Sequence, residues 1–276
     1  MTPSGVIETA HRASVHPERS RGAVHSEHPH LEFAKLSVRF GDRLALDEIS
    51  FAVPRHTICA VVGPANSGKS SLLKCINRTL DFEPRARVTG EVLLDGERVS
   101  KVADVLGLRR RVGMVFPLPV GLPMSVYDNV AWAPRSRGVK RRADLDVIVE
   151  RALRQAVLWD EVKDRLDLLG TRLSGGQQQR LTLARALSME PEVLCLDEFS
   201  IAIDPVTTMK IEEVLVQLKA TTTVVLSTNL VQQARRLADQ VVFLNASRLV
   251  ECGDVETMFD HPSVALTSSY LHGAIG

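Results

Sequence analysis

The most chemically specific pattern in this 276-residue chain is a glycine-rich segment that ends in lysine and serine. It reads Gly63-Pro64-Ala65-Asn66-Ser67-Gly68-Lys69-Ser70, the spacing GxxxxGKS. Glycines let such a loop curl so that successive backbone N–H groups face inward, where they bind phosphate oxygens. Lys69 is placed to reach the β- and γ-phosphates of a nucleotide, and the Ser70 hydroxyl to hold Mg²⁺. The segment therefore predicts a nucleotide phosphate site.

Two elements must flank this loop if it is to bind phosphate. The segment TICAVVG (57–63) is short, apolar and rich in β-branched residues, which is typical of a strand buried on both faces. SSLLKCINRTL (70–80) has helical spacing, so its N-terminus would add a positive helix dipole to the site. A strand, this loop and a helix in that order favour a phosphate site over the alternative, a glycine turn with an exposed lysine.

A pair of carboxylates, Asp197 and Glu198, follows the apolar stretch VLCL. Parallel sheets bind their ligands at the carboxyl ends of strands. We expect Asp197 to hold Mg²⁺, directly or through water, and Glu198 to orient or deprotonate the attacking water. The alternative is an acidic pair at the start of a helix without catalytic duty, which the neighbouring phosphate loop makes less attractive.

The remaining periodicity predicts an α/β fold. LEFAKLSVRF (31–40) and LALDEISFAV (44–53) read as strands, and VTGEVLLDGERV (88–99) as a hairpin with Asp95-Gly96 at its turn, which together predict an N-terminal antiparallel β part. From residue 180 onward apolar strands alternate with helices, which favours a parallel sheet. Residues 101–180 look like a helical insert, with an amphipathic helix over 141–159.

Composition and charge indicate where the folded domain begins and which classes of partner are disfavoured. Residues 1–30 hold five of the eight histidines and three prolines without apolar periodicity, so we expect a disordered, solvated His-rich tail before a domain over 31–276. Metal binding by the tail is the weaker alternative, because the histidines are irregularly spaced.

A net charge of +1 argues against a nucleic-acid partner. No apolar run approaches the ~18 residues of a membrane helix.

A third motif carries a family resemblance. The segment 173–180, LSGGQQQR, lies upstream of Asp197 and opens a predicted helix. It resembles the signature sequence of the ATP-binding subunits of ABC transporters. Within that family, RVGMVFPLPVGLPMSVYDNVAW (111–132) and LWDEVKDRL (158–166) resemble phosphate-import ATP-binding subunits in particular. The resemblance runs from about residue 31 to the C-terminus.

The resemblance implies a P-loop NTPase cassette with a RecA-like parallel-sheet core and a helical signature subdomain. Phe40 would stack on adenine, and residues 63–71, which include Ser71, would cradle the phosphates. Ser174, Gly175, Gly176 and Gln177 would contact ATP bound to a facing subunit. Asp204 would lie in the loop that communicates between the two sites.

The resemblance also implies partners. ATP with Mg²⁺ would join two ATP-binding subunits head to tail, as a homodimer or a heterodimer. The pair would drive membrane permease subunits from the cytoplasmic face of the cell membrane. A periplasmic or extracellular phosphate-binding protein would supply the permease.

Two positions depart from the family pattern. Pro117 stands where the family has the glutamine of the Q-loop, and proline offers neither a polar side-chain atom nor an N–H. Thr228 stands where the family has the switch histidine of the H-loop, and threonine cannot carry the proton or charge of an imidazole. We therefore expect an ATP hydrolase that energises phosphate import. The alternative is a hydrolysis-impaired ATP-binding subunit, either regulatory or paired with a competent partner.

Overall fold

The computed structural model describes residues 29–274, and two sheets with flanking helices account for most of them. The strands are β1 (Leu31–Phe40), β2 (Arg43–Val53), β3 (Ile58–Val62), β4 (Ala86–Leu94), β5 (Glu97–Arg98), β6 (Val112–Val115), β7 (Val193–Asp197), β8 (Thr223–Thr228), β9 (Gln240–Asn245) and β10 (Arg248–Asp254). The helices are α1 (Lys69–Ile76), α2 (Val105–Arg111), α3 (Val126–Ser136), α4 (Arg142–Gln155), α5 (Trp159–Val162), α6 (Gly175–Leu187), α7 (Pro205–Leu218), α8 (Val231–Leu237), α9 (Val255–Asp260) and α10 (Ala265–Leu271).

The central sheet has six strands in the order β10-β9-β3-β8-β7-β6, and all its pairs are parallel except β9 with β10. Its strand β3 is buried throughout. Cys59 and Val61 face a core shared with α1 and the second sheet, while Ile58, Ala60 and Val62 face the helical side. Burial on both faces explains why this segment is uniformly apolar.

The second sheet is antiparallel, in the order β2-β1-β4-β5, as the alternating N-terminal strands predict. Asp95 and Gly96 turn the β4–β5 hairpin with φ of 54° and 76°, the pair of positive values that a tight hairpin turn with the strand twist requires. One face of this sheet packs on α1 and the central sheet through a shared apolar core. Helix α1, which follows the phosphate loop, therefore packs against both sheets.

The stretch 101–180, which we expect to be helical, also contains a strand of the central sheet. Residues 112–115 form β6, which pairs in parallel with β7 at the edge of the central sheet. The segment is only VGMV, too short to show a period, and its strand character comes from pairing with a buried neighbour. The helical part proper consists of α3, α4, α5 and α6, which share one apolar core.

The N-terminal boundary also differs from the expected one. His30 is 1% exposed, its N–H donates to the carbonyl of Val53 at 3.0 Å, and its own carbonyl accepts from Asp95 N–H. His30 therefore belongs to the folded domain and not to a solvated tail. The disorder predicted for residues 1–28 lies outside the described residues. Within the described range, every helix is too short or too polar to cross a bilayer.

Candidate nucleotide site

The loop between β3 and α1 has a backbone that only glycine accommodates at two positions. Gly63 has φ 150° and Gly68 has φ 109°. A Cβ on Gly63 would collide with the carbonyl oxygen of Leu244, and one on Gly68 with the carbonyl oxygen of Ala45. The glycine pattern is thus required by close packing of the loop against β9 and β2, as well as by the curl that turns N–H groups inward.

Lys69 lies across the mouth of this loop. Its ammonium donates to the carbonyls of Gly63 at 2.8 Å and Pro64 at 3.0 Å, and lies 3.8 Å from a carboxylate oxygen of Glu198. The residue is 5% exposed, and this burial lowers the pKa of Lys69 against the opposing charges of Glu198 and Asp197. A buried cation beside inward-facing amides is suited to a polyanion.

Asp197, at the carboxyl end of β7, gathers two hydroxyls. Ser70 Oγ donates to its Oδ1 at 2.9 Å, and Ser227 Oγ donates to the same oxygen at 2.5 Å. Hydroxyl and carboxylate oxygens are the donors that Mg²⁺ prefers, so this donor set fits the ion, which Ser70 and Asp197 would hold. Ser227 was not identified from the sequence. Its only signal is its place in β8, one residue before Thr228, at the same edge of the sheet.

Glu198 has an uncommon backbone for a glutamate, with φ 44°. Its N–H donates to the backbone oxygen of Ser227 at 3.1 Å and to Ser227 Oγ at 3.2 Å, which holds this conformation. The next residue, Phe199, is buried in the apolar core. Left-handed residues of this kind cost about 1–3 kcal/mol and concentrate at functional sites. Here the conformation places the Glu198 carboxylate beside Lys69.

Phe40 closes β1 at the side of the loop. It is half-buried and packs on the core shared by the two sheets. The turn that follows it reaches the loop, because Arg43 Nη2 donates to Asn66 Oδ1 at 3.3 Å. This places a partly exposed aromatic ring on the same side of the domain as the phosphate loop, the arrangement that adenine stacking requires.

The signature segment forms the start of α6. Ser174 is its N-cap and exchanges hydrogen bonds with Gln177, whose N–H donates to Ser174 Oγ at 3.3 Å. Glu161 supports both this cap and Arg180, accepting from Gln177 Nε2 at 2.8 Å and from Arg180 Nη1 at 2.5 Å. These ion-pair and amide contacts lower the pKa of Glu161. The cap therefore satisfies the N–H of Gln177 and leaves the first N–H groups of the helix, those of Gly175 and Gly176, to an anion.

The signature segment and the phosphate loop are separate within one chain. In residues 29–274, no hydrogen bond or ion pair joins 173–177 to 63–71. Gly176 instead abuts the loop after Glu198, where an added Cβ would lie 2.9 Å from the carbonyl oxygen of Ala202. Asp204, at the end of that loop, caps α7 by accepting from Thr207 N–H at 2.9 Å, which lowers the pKa of Asp204.

The two departures from the family pattern lie at the expected edges. Pro117 follows β6 and is half-exposed, and the carbonyl of Phe116 before it accepts from Gln179 Nε2 at 3.0 Å. Thr228 ends β8 and is 2% exposed, and its hydroxyl accepts from Leu230 N–H at 3.0 Å. The Thr228 oxygen thus accepts from its own chain, and its O–H proton remains free to donate.

A further residue of the site, Tyr270, comes from α10 near the C-terminus. Its ring stacks on Phe243 with centroids 4.8 Å apart, and its phenol lies near the backbone of Gly63. Burial raises the pKa of Tyr270. The sequence pattern offered no signal for this contact, because Tyr270 reads as an ordinary residue of an amphipathic helix.

Fold and site together define a P-loop nucleotide-binding protein: a buried strand, a glycine loop, a lysine and an Asp-Glu pair at one edge of a parallel sheet. The chain belongs to the ABC transporter family, whose family model matches residues 46–200. It is accordingly an ATP-binding protein, as its motifs predict.

Curated relatives cover nearly the whole chain. The chain is 46% identical over 247 residues to "Phosphate import ATP-binding protein PstB" of Shewanella denitrificans. This match covers 89% of this chain and 91% of the relative. It is 47% identical to "Phosphate import ATP-binding protein PstB 1" of Yersinia pestis, over 89% of this chain and 92% of that one.

Solved structures share the fold. The protein CbiO1 of Clostridium perfringens, part of the ABC transporter complex CbiONQ, has a TM-score of 0.70 and 26% identity, and the match covers 83% of this chain and 90% of CbiO1. A bacterial Atm1-family ABC exporter with ATP bound has a TM-score of 0.77 at 24% identity. It matches 95% of this chain, which spans 44% of the exporter. The α/β cassette predicted from the motifs is therefore confirmed.

Proposed function

We propose that this chain is the ATP-binding subunit of an ABC importer and couples ATP hydrolysis to the uptake of inorganic phosphate. The observation that carries the proposal is the match of about 46% identity to curated phosphate-import subunits along nine-tenths of both chains. The phosphate loop and the Asp197–Glu198 pair supply the groups that ATP hydrolysis needs.

In this proposal each group at the sheet edge has a separate task. Residues 63–71 and the N-terminus of α1 bind the phosphates of ATP, and Lys69 balances their charge. Ser70 and Asp197 hold Mg²⁺, which neutralises phosphate oxygens when bound. Glu198 orients the attacking water and accepts its proton, since its carboxylate lies at the mouth of the loop. Phe40 stacks on adenine, and Tyr270 packs on Phe243 near the backbone of Gly63.

The second half of the ATP site comes from another subunit. Ser174, Gly175, Gly176 and Gln177 present a capped helix N-terminus on a surface that does not meet the phosphate loop of their own chain. Asp204 lies beside them, at the end of the loop that follows Glu198. Two subunits joined head to tail would complete two sites and work on membrane permease subunits at the cytoplasmic face of the membrane. A phosphate-binding protein outside the membrane would deliver the anion.

A second candidate function has its own supporting observation. Pro117 has no side-chain amide, and Thr228 offers a short hydroxyl that accepts from Leu230 N–H and keeps one O–H to donate. The γ-phosphate and attacking water then lack the amide and the titratable imidazole of the family site. A chain built in this way binds ATP and hydrolyses it slowly, and serves as a regulatory subunit or as the weaker half of a heterodimer.

Deleting the gene is expected to reduce high-affinity uptake of ³²P-labelled phosphate under phosphate limitation to the background level. Wild-type chain restores the uptake and a Lys69→Ala chain does not, because uptake requires the bound nucleotide. Sulfate uptake serves as the control and remains unchanged. Phosphate uptake that persists at its full rate in the deletion strain contradicts the proposed substrate.

Ser174→Arg is expected to abolish ATP-dependent dimerisation while leaving ATP affinity within about twofold, because Ser174 acts on nucleotide held by the other subunit. Light scattering after size-exclusion chromatography, with and without ATP, measures the dimer in a Glu198→Gln background that suppresses turnover. Ser136→Arg, on the exposed side of α3, is the matched control and should dimerise normally. Normal dimerisation of Ser174→Arg would exclude a shared site.

A further inference from the structure

Three ligand-type side chains converge at the sheet edge opposite the nucleotide. His30 precedes β1, Asp95 lies in the β4–β5 turn, and Glu192 immediately precedes β7. The phosphate loop follows the carboxyl end of β3, whereas Glu192 lies at the amino end of a strand parallel to it. The cluster therefore joins the antiparallel sheet to the central sheet, away from the proposed ATP site.

The imidazole of His30 is the unusual member of this cluster. Its Nδ1 shares a 2.7 Å hydrogen bond with Thr223 Oγ1, which also accepts from His56 N–H at 2.9 Å. Its Nε2 is fully buried and has no hydrogen-bond partner. Burial, with Arg55 nearby, lowers the pKa of His30 to about 4, so the ring is neutral near pH 7. A buried polar atom without a partner is costly, and a native structure normally satisfies it.

Both carboxylates face this unpartnered nitrogen. Nε2 lies 3.9 Å from Asp95 Oδ2 and 4.0 Å from Glu192 Oε2, too far for hydrogen bonds. The three ligand atoms lie within 4.8 Å of one another. Tetrahedral zinc with bonds near 2.1 Å holds its ligand atoms about 3.4 Å apart, so each carboxylate oxygen must approach Nε2 by about 0.5 Å, and the two oxygens must approach each other by about 1.4 Å at most.

Two arginines share the carboxylates, and one of their nitrogens lies against the oxygens that an ion would need. Arg111 Nε donates to Glu192 Oε1 at 3.0 Å, and Arg55 pairs with Asp95 Oδ1; these are not the two oxygens that face Nε2. Arg111 Nη2 bridges the inner oxygens, at 3.1 Å from Asp95 Oδ2 and 3.0 Å from Glu192 Oε2. Only this last nitrogen must move, and the side chain is one-third exposed and can do so.

We propose that His30 Nε2, Asp95 Oδ2 and Glu192 Oε2 bind a divalent transition metal of the zinc class that ties the two sheets together. A neutral imidazole with two carboxylates is a donor set that zinc accepts, with water completing four-coordination. Thr223 supplies the outer hydrogen bond that commonly orients a ligating histidine. The site is structural, since the cluster is at the edge of the sheet opposite the phosphate loop.

The test is a zinc titration of the full chain, followed by calorimetry and thermal unfolding. All variants carry His11→Ser, His16→Ser, His25→Ser and His28→Ser, so that these side chains contribute no zinc binding of their own. One zinc per chain is expected, with a rise in Tm of about 5 °C at saturating zinc. His30→Asn keeps an amide near the Nδ1 position for Thr223 but removes Nε2. His30→Asn is expected to bind zinc at least about 100-fold more weakly than the parent. That loss exceeds the loss caused by removing a hydrogen bond that only supports a ligand.

Two further variants separate this site from adventitious binding. His56→Asn, an exposed neighbour outside the ligand set, should bind zinc like the parent chain. Arg111→Gln frees both inner carboxylate oxygens and is expected to tighten zinc binding severalfold, whereas a purely structural ion-pair network would only lose stability. If Arg111→Gln fails to fold, a Co²⁺ titration replaces it. Absorption bands of bound Co²⁺ that are present in the parent and absent in His30→Asn then support the site. Absence of zinc binding in the parent, or equal binding in His30→Asn, overturns the proposal.

Discussion

Replacing Lys69 with alanine is expected to weaken ATP binding roughly 100-fold and to reduce ATP turnover below detection. The ammonium is the buried positive charge at the mouth of the loop, and charge-assisted hydrogen bonds contribute about 1.5–3 kcal/mol each. The loop itself should persist, because Gly63 and Gly68 are fixed by packing against β9 and β2 and not by the lysine.

Calorimetric titration with ATP and Mg²⁺ measures the affinity, and phosphate release measures turnover. Lys74→Ala is the matched control, because Lys74 lies on the same helix but makes no contact with the loop or with Glu198 among the described hydrogen bonds and ion pairs. We expect this control to bind ATP as the wild type does, with a Tm close to that of Lys69→Ala. Equal ATP affinities for Lys69→Ala and the wild type would show that residues 63–71 are not the nucleotide site.

The elements that were predicted well are those whose sequence pattern is set by their own burial. The run TICAVVG is apolar because both faces of β3 are covered, and Asp95-Gly96 marks a turn because its backbone needs positive φ. Elements shaped by distant partners were predicted poorly. VGMV is a strand only because β7 lies beside it. Helix α1 ends at Ile76, four residues before the predicted end, since Arg78 adopts φ 58°.

The same distinction holds for the candidate site, where residues of contiguous motifs can be predicted and residues from distant segments cannot. The phosphate loop is contiguous in sequence, so its glycines, lysine and serine can be identified from spacing alone. Ser227 and Tyr270 reach the same site from β8 and α10, across a parallel sheet whose crossovers bring distant segments together. No local pattern encodes those contacts. His30 is the converse case, because a histidine beside a His-rich segment gives no sign that its own ring is buried.

The positions that decide between the two candidate functions are Pro117 and Thr228. They follow β6 and end β8, the two strands on either side of the one that carries Asp197. A glutamine and a histidine at these strand ends would stand on both sides of the Asp197–Glu198 pair. Proline and threonine instead leave the region of the γ-phosphate without an amide or an imidazole beside Lys69 and Glu198.

Restoring both residues, as Pro117→Gln with Thr228→His, is expected to raise ATP turnover roughly 100-fold over the wild type while changing ATP affinity little. Loss of one transition-state contact of this kind costs about two to three orders of magnitude in rate, and two such losses act together and do not simply add. Affinity depends mainly on the phosphate loop and Lys69, which are unchanged. Phosphate release by purified chains under saturating ATP is the measurement.

Two matched chains identify the source of the gain. Pro117→Gln with Thr228→Asn places at position 228 an amide that donates a hydrogen bond but cannot take up or release a proton. This chain is expected to recover only a minor part of the turnover. Adding Glu198→Gln to the restored chain should remove the gain, because the water then has no carboxylate to accept its proton. If the restored chain is no faster than the wild type, Pro117 and Thr228 do not limit hydrolysis, and the chain is the competent ATPase of its importer.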